Sequence, residues 1–415
     1  MSQWTARPVG GYPEGSSLPS FPREATRVTR PPCASPRRPE GRVPHASWLC
    51  WVRLAALLVV GFPISAQRPL RVVLEAEVNG EGEDIAELLA AVPLPNGGLA
   101  LTDGSDARIR LIDRNGAIAA TIGRPGSGPM EFRRPDVLGL RGDSLWVFDR
   151  ALQRLTVVSL SSRQGRSETW PVSLRSPDGS TVVSSPNPVG FPLAGARMSA
   201  GIVQGGGALA QVRAAYARHS DDGVLVLPLI DRPLSQRCST TLPSGRRFLN
   251  PLCALPLSAV SPDGTRLVIA EPAWPGGPTG AVSLRAVAAD GRQIWASTIR
   301  LPGLSIPAAT RDSVVAARRS DASLAPYTAQ MRAALDQTRF FPIARWLVVG
   351  GDHSVAFGAE FGGRNRWYLV DMQGRLRGLV DLGAGERMVG LTSDGYWSVR
   401  PDSDGFSDLR RYRIR

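Results

Sequence analysis

GLALTDGSDARIRLIDRNG (98–116) and DSLWVFDRALQRLTVVSL (143–160) are the two stretches whose comparison decides the fold. At an offset of 46 residues, Leu99 falls on Leu145, Asp103 on Asp149 and Arg108 on Arg154, while Ile109 and Leu111 fall on Leu155 and Val157. Apolar residues alternate on both sides of the Asp-to-Arg stretch, which is the period of strands with one buried face. Each copy reads as strand, short loop, strand, Gly-containing turn and a further strand.

The second half of the unit recurs in LIDRNGAIAATIG (111–123), RHSDDGVLVLPL (218–229), AVAADGRQIWAST (286–298) and LVDMQGRLRGLV (369–380). Each sets a polar pair and Gly between apolar runs, supplying the positive φ that tight hairpins demand. Pairs of short strands precede the later copies, around 191–203, 254–271 and 343–360. Five units result, near 87–124, 135–172, 186–230, 252–300 and 341–383. After 385 only three strands remain (MVGLTSD, GYWSVRP, LRRYRIR), and RVVLEAEV (71–78) supplies a fourth. Pairing the two ends in one sheet removes exposed strand edges. The expectation is an all-β, six-bladed β-propeller closed by its terminal strands over 67–415; a seven-bladed count is the structural alternative.

Composition agrees with this class. The 415 residues contain 49 Arg and no Lys against 36 acids, a net charge of +13, with 44 Gly and 35 Pro. That balance excludes a coiled coil, a collagen and a wholly disordered chain. The first 47 residues hold nine Pro and seven Arg with little apolar periodicity and read as a disordered leader. Behind it, Arg53, the apolar run Leu54 to Phe62 and the small residue Ala66 make 48–66 a signal peptide, so the protein is expected to be exported, periplasmic or extracellular. The apolar run is shorter than the about 20 residues that span a bilayer. A start near Val43 instead of Met1 would explain the long leader. The mature chain would retain 41 Arg and 33 acids, a net charge of +8.

Cleavage also removes Cys33 and Cys50. Cys238 and Cys253 then flank a loop rich in Ser, Thr, Pro and Gly, which in an oxidising compartment suggests a disulfide, two buried thiols being the alternative. Between 308 and 339 the period turns helical: Pro326 opens a segment in which Tyr327, Met331, Ala334, Leu335 and Thr338 share one face. This insertion reads as a helical pair packed on the propeller, or else as a lid or docking element.

Two features resemble the NHL-type repeats and the bacterial six-bladed β-propeller family related to them. Asp103 to Ile109 is similar to the Asp-x-x-Asn-x-Arg-apolar repeat pattern, with Asp106 in place of Asn. The loop IGRPGSGPMEF (122–132) resembles that family's Gly-Pro-Gly-Glu-Phe connector, with Met130 in place of a Gly. The resemblance implies the propeller fold and, for many relatives, export without an assigned activity. In that loop Gly123, Gly126 and Gly128 would turn the chain from an outer to the next inner strand, and Phe132 would plug between blades. A phosphate-binding loop is the competing idea, but it fits poorly, with no Lys, no following helix and no GxxxxGK[ST] spacing.

Asp103 with Arg108, and Asp149 with Arg154, recur and therefore read as scaffold, each Arg forking onto a carboxylate or loop carbonyls. Ligand-binding candidates come from loops between the second and third strands of a unit, at one mouth of the channel: Asp149, Arg150, Glu271, Trp274, Glu360 and Arg364. Trp274, held between prolines, suits a sugar, peptide or protein, or else folds onto a neighbouring blade. His219 and His353 lie near turns and outside any triad context, and no GxSxG elbow is present. No His/Cys ligand spacing points to a metal. The function expected is therefore a non-catalytic monomer binding a protein or a small-molecule or saccharide ligand. The alternative is a lactonase-like hydrolase or lyase using channel carboxylates and Ca2+. A nucleic-acid partner fits poorly, because along the chain the Arg residues are interspersed with acids.

Overall fold

The structure is a computed structural model that describes residues 68–415 apart from 83–84, 176–181, 191–196, 204–212, 221–224, 234–237, 275–277, 320, 322, 362 and 403; the leader and signal segment lie outside the described residues. The chain is mostly β, and its strands form antiparallel four-stranded sheets taken in chain order. The first comprises Leu88–Pro93, Leu99–Asp103, Arg108–Ile112 and Ile118–Ile122; the second, Pro135–Arg141, Ser144–Asp149, Arg154–Ser159 and Gly165–Thr169. The fourth runs from Leu257–Val260 through Arg266–Ala273 and Thr279–Ala288 to Gln293–Pro302, and the fifth from Trp346–Val349 through Val355–Phe361 and Arg364–Val370 to Leu376–Leu382.

The sixth sheet joins the ends of the chain. Arg387–Leu391, Gly395–Pro401 and Ser407–Ile414 are completed by Val72–Val78, which pairs antiparallel with the last strand from Val72↔Ile414 to Val78↔Leu409. Arg411 on that last strand is 1% exposed. Its guanidinium meets Glu75 of the first strand, both oxygens of Asp394 at 3.0 Å, and the Gly97 carbonyl of the first sheet's turn at 3.2 Å. The Trp397 indole donates to the same carbonyl. These bonds fasten the sixth sheet to the first as well as the two termini to each other.

The third sheet departs from the sequence expectation. It has five strands, Ser173–Arg175, Val182–Gly190, Arg197–Val203, Arg213–His219 and Leu225–Pro233, so it begins well before 186 and includes a strand through Pro186 and Pro188. Proline lacks the N–H that a central strand needs, but an edge tolerates it. Ser173–Arg175 pairs only with 182–184, leaving the remainder of Val182–Gly190 as an edge with register shifts at both prolines. The Trp170 indole crosses from the second sheet to bond the Pro186 carbonyl.

Between the sheets lie apolar seams. Ile109, Leu111 and Ile122 of the first sheet pack with Leu145, Val147 and Val158 of the second, and Phe132 is buried among them. Gly123 adopts φ +83°, and a Cβ there would fall 2.4 Å from the Phe132 ring, so the connector needs glycine at this point. Met130 in the same connector holds φ +57°.

Candidate functional site

Inner strands of the four- and five-stranded sheets border a cavity of about 190 Å³, touched by Val92, Leu138, Val189, Val260, Val348 and Val389. At the end where these strands finish, the Leu140 amide donates to the Pro262 carbonyl at 2.8 Å, tying the second sheet to the fourth. At the opposite end the inner strands begin and the outer-to-inner connectors arrive. The six ligand candidates lie toward that end, between the close of a second strand and the start of the third.

Asp149 is fully buried. One carboxylate oxygen accepts from the Arg133 and Arg134 amides at 2.6 and 3.1 Å, the other from the Leu152 amide at 3.0 Å. Asp103 repeats the arrangement 46 residues earlier, accepting from the Glu87 and Ser105 amides. Each acid thus latches the start of its sheet's inner strand to its own loop, and Ala107 and Gln153, also 46 apart, both turn through positive φ. Arg108 and Arg154 stand opposite Asp103 and Asp149 in strand register. Neither carboxylate is their partner, however. Arg154 forks onto the Ser127 and Glu131 carbonyls of the connector, and the half-exposed Arg108 lies 3.7 Å from Asp106.

Arg150 reaches Asp136, at 3.2 Å, on the inner strand of the second sheet, with Arg134 on the same carboxylate at 3.9 Å. Burial pushes the Asp136 carboxyl up against the pull of these two guanidiniums. The sequence reading missed Asp136; its only signal was a charge directly after a Pro that opens an inner strand.

Glu271 and Trp274 sit on a hairpin that extends beyond the inner strand of the fourth sheet, since Leu257 already pairs with Ala270. Trp274 stacks on Phe340 at 4.9 Å and lies over Gly280 and Gly303, where a Cβ would meet the ring at 2.7 and 2.5 Å. Its ring is thereby covered by its own fold. Glu360 is exposed and feels the Arg345 charge, while Arg364 starts the third strand of the fifth sheet beside Asp381. Between the fourth and fifth sheets, Glu360, Arg366 and Tyr368 border a pocket of about 20 Å³, room for one water.

Two long connectors meet on this face. The first carries the disulfide Cys238–Cys253, with Cα atoms 5.5 Å apart, around the hairpin Ser239–Thr241 and Arg247–Leu249. The second carries helices α1 (Ala308–Arg318) and α2 (Thr328–Asp336). Leu242, Phe248 and Leu252 from the one pack with Ile306, Val315, Met331 and Leu335 from the other, a core distinct from the seams between sheets. Asn250 donates to the Ala334 carbonyl and Thr338 hydroxyl, and Arg345 to the Pro251 carbonyl. The helical insertion is therefore half of a two-part cap, the disulfide loop being the other half.

Among the described residues no group of three or more His, Cys, Asp and Glu converges as metal ligands. His219 is buried, its Nε2 2.8 Å from Ser199 Oγ and its Nδ1 2.8 Å from the Ser220 carbonyl. His353 bridges to Asp263 and Thr265, in the turn that follows the inner strand of the fourth sheet. Among the described residues no helix is long and apolar enough to cross a membrane.

No protein-family profile matches the chain, and no curated protein matches it in sequence. Among solved structures, it is similar to a candidate exported protein from Bacteroides fragilis (10% identity, 84% of this chain and 96% of that one, TM-score 0.39). A catalytically inactive virginiamycin B lyase from Staphylococcus aureus shares 10% identity over 83% of this chain and all of its own, with a TM-score of 0.37. Regucalcin from Agrobacterium tumefaciens, a calcium-binding protein, shares 10% over 84% and 96%, with a TM-score of 0.33. These neighbours are propeller-like; at such identities and scores they assign no activity or ligand to this chain.

Proposed function

We propose that this chain is an exported, six-bladed β-propeller of the NHL-related kind that binds a ligand or protein partner at the mouth where its inner strands begin, without catalysing a reaction. The observation that carries the reading is the cap: two connectors far longer than a turn meet on one face and build their own core there. Long ordered loops on a rigid scaffold are where binding surfaces concentrate. At the same mouth Asp149 and Asp103 latch backbone amides, and Arg150 is held by Asp136.

The test is a thermal-shift screen of saccharides, peptides and lactones, with and without Ca2+ or Mn2+, coupled to product analysis. A bound ligand raises Tm in proportion to ln(1 + [L]/Kd). A Tm rise without product supports binding. Turnover of a lactone, with a Tm that rises on adding the cation, overturns the reading in favour of a hydrolase or lyase.

A further inference from the structure

The charge of this protein is unevenly distributed in space. Residues 238–256 and 303–345, which contain the cap, carry eight Arg and three Asp, a net charge of +5, whereas the whole of 67–415 carries +8. Five-eighths of the excess therefore lies in two segments that the fold brings together.

Arg246, Arg247, Arg318, Arg319 and Arg339 are all exposed. Among the described residues, Arg318, Arg319 and Arg339 have no carboxylate within ion-pair reach, and Arg247 reaches only the Ser239 hydroxyl, at 2.7 Å. The hairpin and the helices share one core, in which Leu242 and Phe248 join Val315, Met331 and Leu335, and Asp321, just beyond α1, is held below the usual carboxylate range first by Ser323 and also by the charge of Arg246 on the hairpin. Cations at the end of α1 also complement its dipole, but that accounts for Arg318 and Arg319 only. Leu249, 54% exposed, follows Arg247 on the outer face of the hairpin and adds an apolar anchor beside the guanidiniums.

We propose that the cap is the docking surface for an acidic segment of a protein partner, gripped by Arg246, Arg247, Arg318 and Arg319 around Leu249. This deepens the binding reading above and rests on it. Guanidinium forks suit carboxylates, and an exposed apolar anchor among arginines matches protein interfaces, which enrich Arg and desolvate a central hydrophobic residue. A polysaccharide or lipid headgroup would use the charge and leave Leu249 without a role.

The probe is fluorescent poly-L-glutamate, titrated into the full-length chain by anisotropy at low and physiological salt, with heparin and anionic phosphatidylglycerol vesicles in parallel. Two cap variants, Arg246→Glu/Arg247→Glu and Arg318→Glu/Arg319→Glu, are compared with Arg166→Glu/Arg377→Glu, exposed on outer strands of the second and fifth sheets. All three change the net charge equally. With about 0.7 kcal/mol for each exposed contact, either cap pair weakens polyglutamate binding about tenfold. The control pair changes it less than about twofold, and Leu249→Ser weakens it at physiological salt, where charge is partly screened. Equal losses in all three charge variants, no polyglutamate binding, or tighter binding to heparin or vesicles would overturn the proposal. Each of those results leaves a non-catalytic binding propeller standing, whereas lactone turnover removes that reading without touching the cap data.

Discussion

Replacing Arg411 by Met keeps the length and apolar stem of a side chain that is 1% exposed, and removes only its charge and donors. The charge-assisted bond to the Gly97 carbonyl is worth about 1.5–3 kcal/mol. The fork onto Asp394, whose side chain is 44% exposed, adds about 0–1 kcal/mol because water screens it. Glu75 keeps Arg413 on one carboxylate oxygen, while the other, buried, loses its ion-pair partner. The expected cost is therefore about 3 kcal/mol, the low end of the range for breaking a buried ion pair. For a chain of this size, at about 2 °C per kcal/mol, Tm falls by about 6 °C. The loss is also localised. Amide hydrogen exchange in Val72–Val78 accelerates ahead of the other sheets, because Arg411 links that strand and the first sheet's turn to the last strand. Arg413→Met, removing a half-exposed guanidinium, costs at most about 1 kcal/mol. An Arg411→Met protein with Tm within about 1 °C of the parent, or a higher one, and unchanged exchange in Val72–Val78 would refute the reasoning, since desolvation of the ion pair would then cancel its attraction.

Asp149→Ala strands three amides and lowers stability by about 3 kcal/mol, while Asp149→Asn, which retains one acceptor oxygen, costs less than half of that; urea denaturation separates the two. Burial raises the Asp263 carboxyl, but bonds from His353, Ser261 and Thr265 outweigh it and hold the folded pKa far below the ordinary value. Its contribution is complete above the unfolded carboxylate pKa of about 4 and is lost as pH falls from there toward the folded value. Asp263→Asn consequently flattens the acid limb of a Tm-against-pH curve below about pH 4 and leaves its shape above pH 5 unchanged. Reducing Cys238–Cys253, which closes a 15-residue separation, removes about 3 kcal/mol from the cap in the chain-entropy picture. Limited proteolysis should then cut first in 238–256, with the sheets intact.

Where strands alternate cleanly and end in Asp-Gly or Asn-Gly turns, they were legible in the chain: the first, second and fifth sheets lie close to the expected spans, and Phe132 sits in the expected seam. The third sheet was misplaced because Pro186 and Pro188 signal a turn in sequence, and only the sheet shows that they stand on an edge where no N–H is required. The site was less legible. Asp149 and Trp274 are the kinds of residue that ligands use, yet the first is filled by amides and the second is covered by Phe340, Gly280 and Gly303. Neighbours of that kind come from residues distant in the chain, and no local pattern encodes them.

By itself, the sequence determined the repeat, the strand order and the completion of the last sheet by the first strand, because alternation and turn chemistry act over a few residues and repeat along the chain. Only the tertiary structure decided where the arginines gather. Along the chain they look evenly interspersed with acids, but the sheets bring 238–256 and 303–345 to one face, where the charges add. Electrostatic potential depends on distance in space, so a patch that faces a partner is a property of the fold.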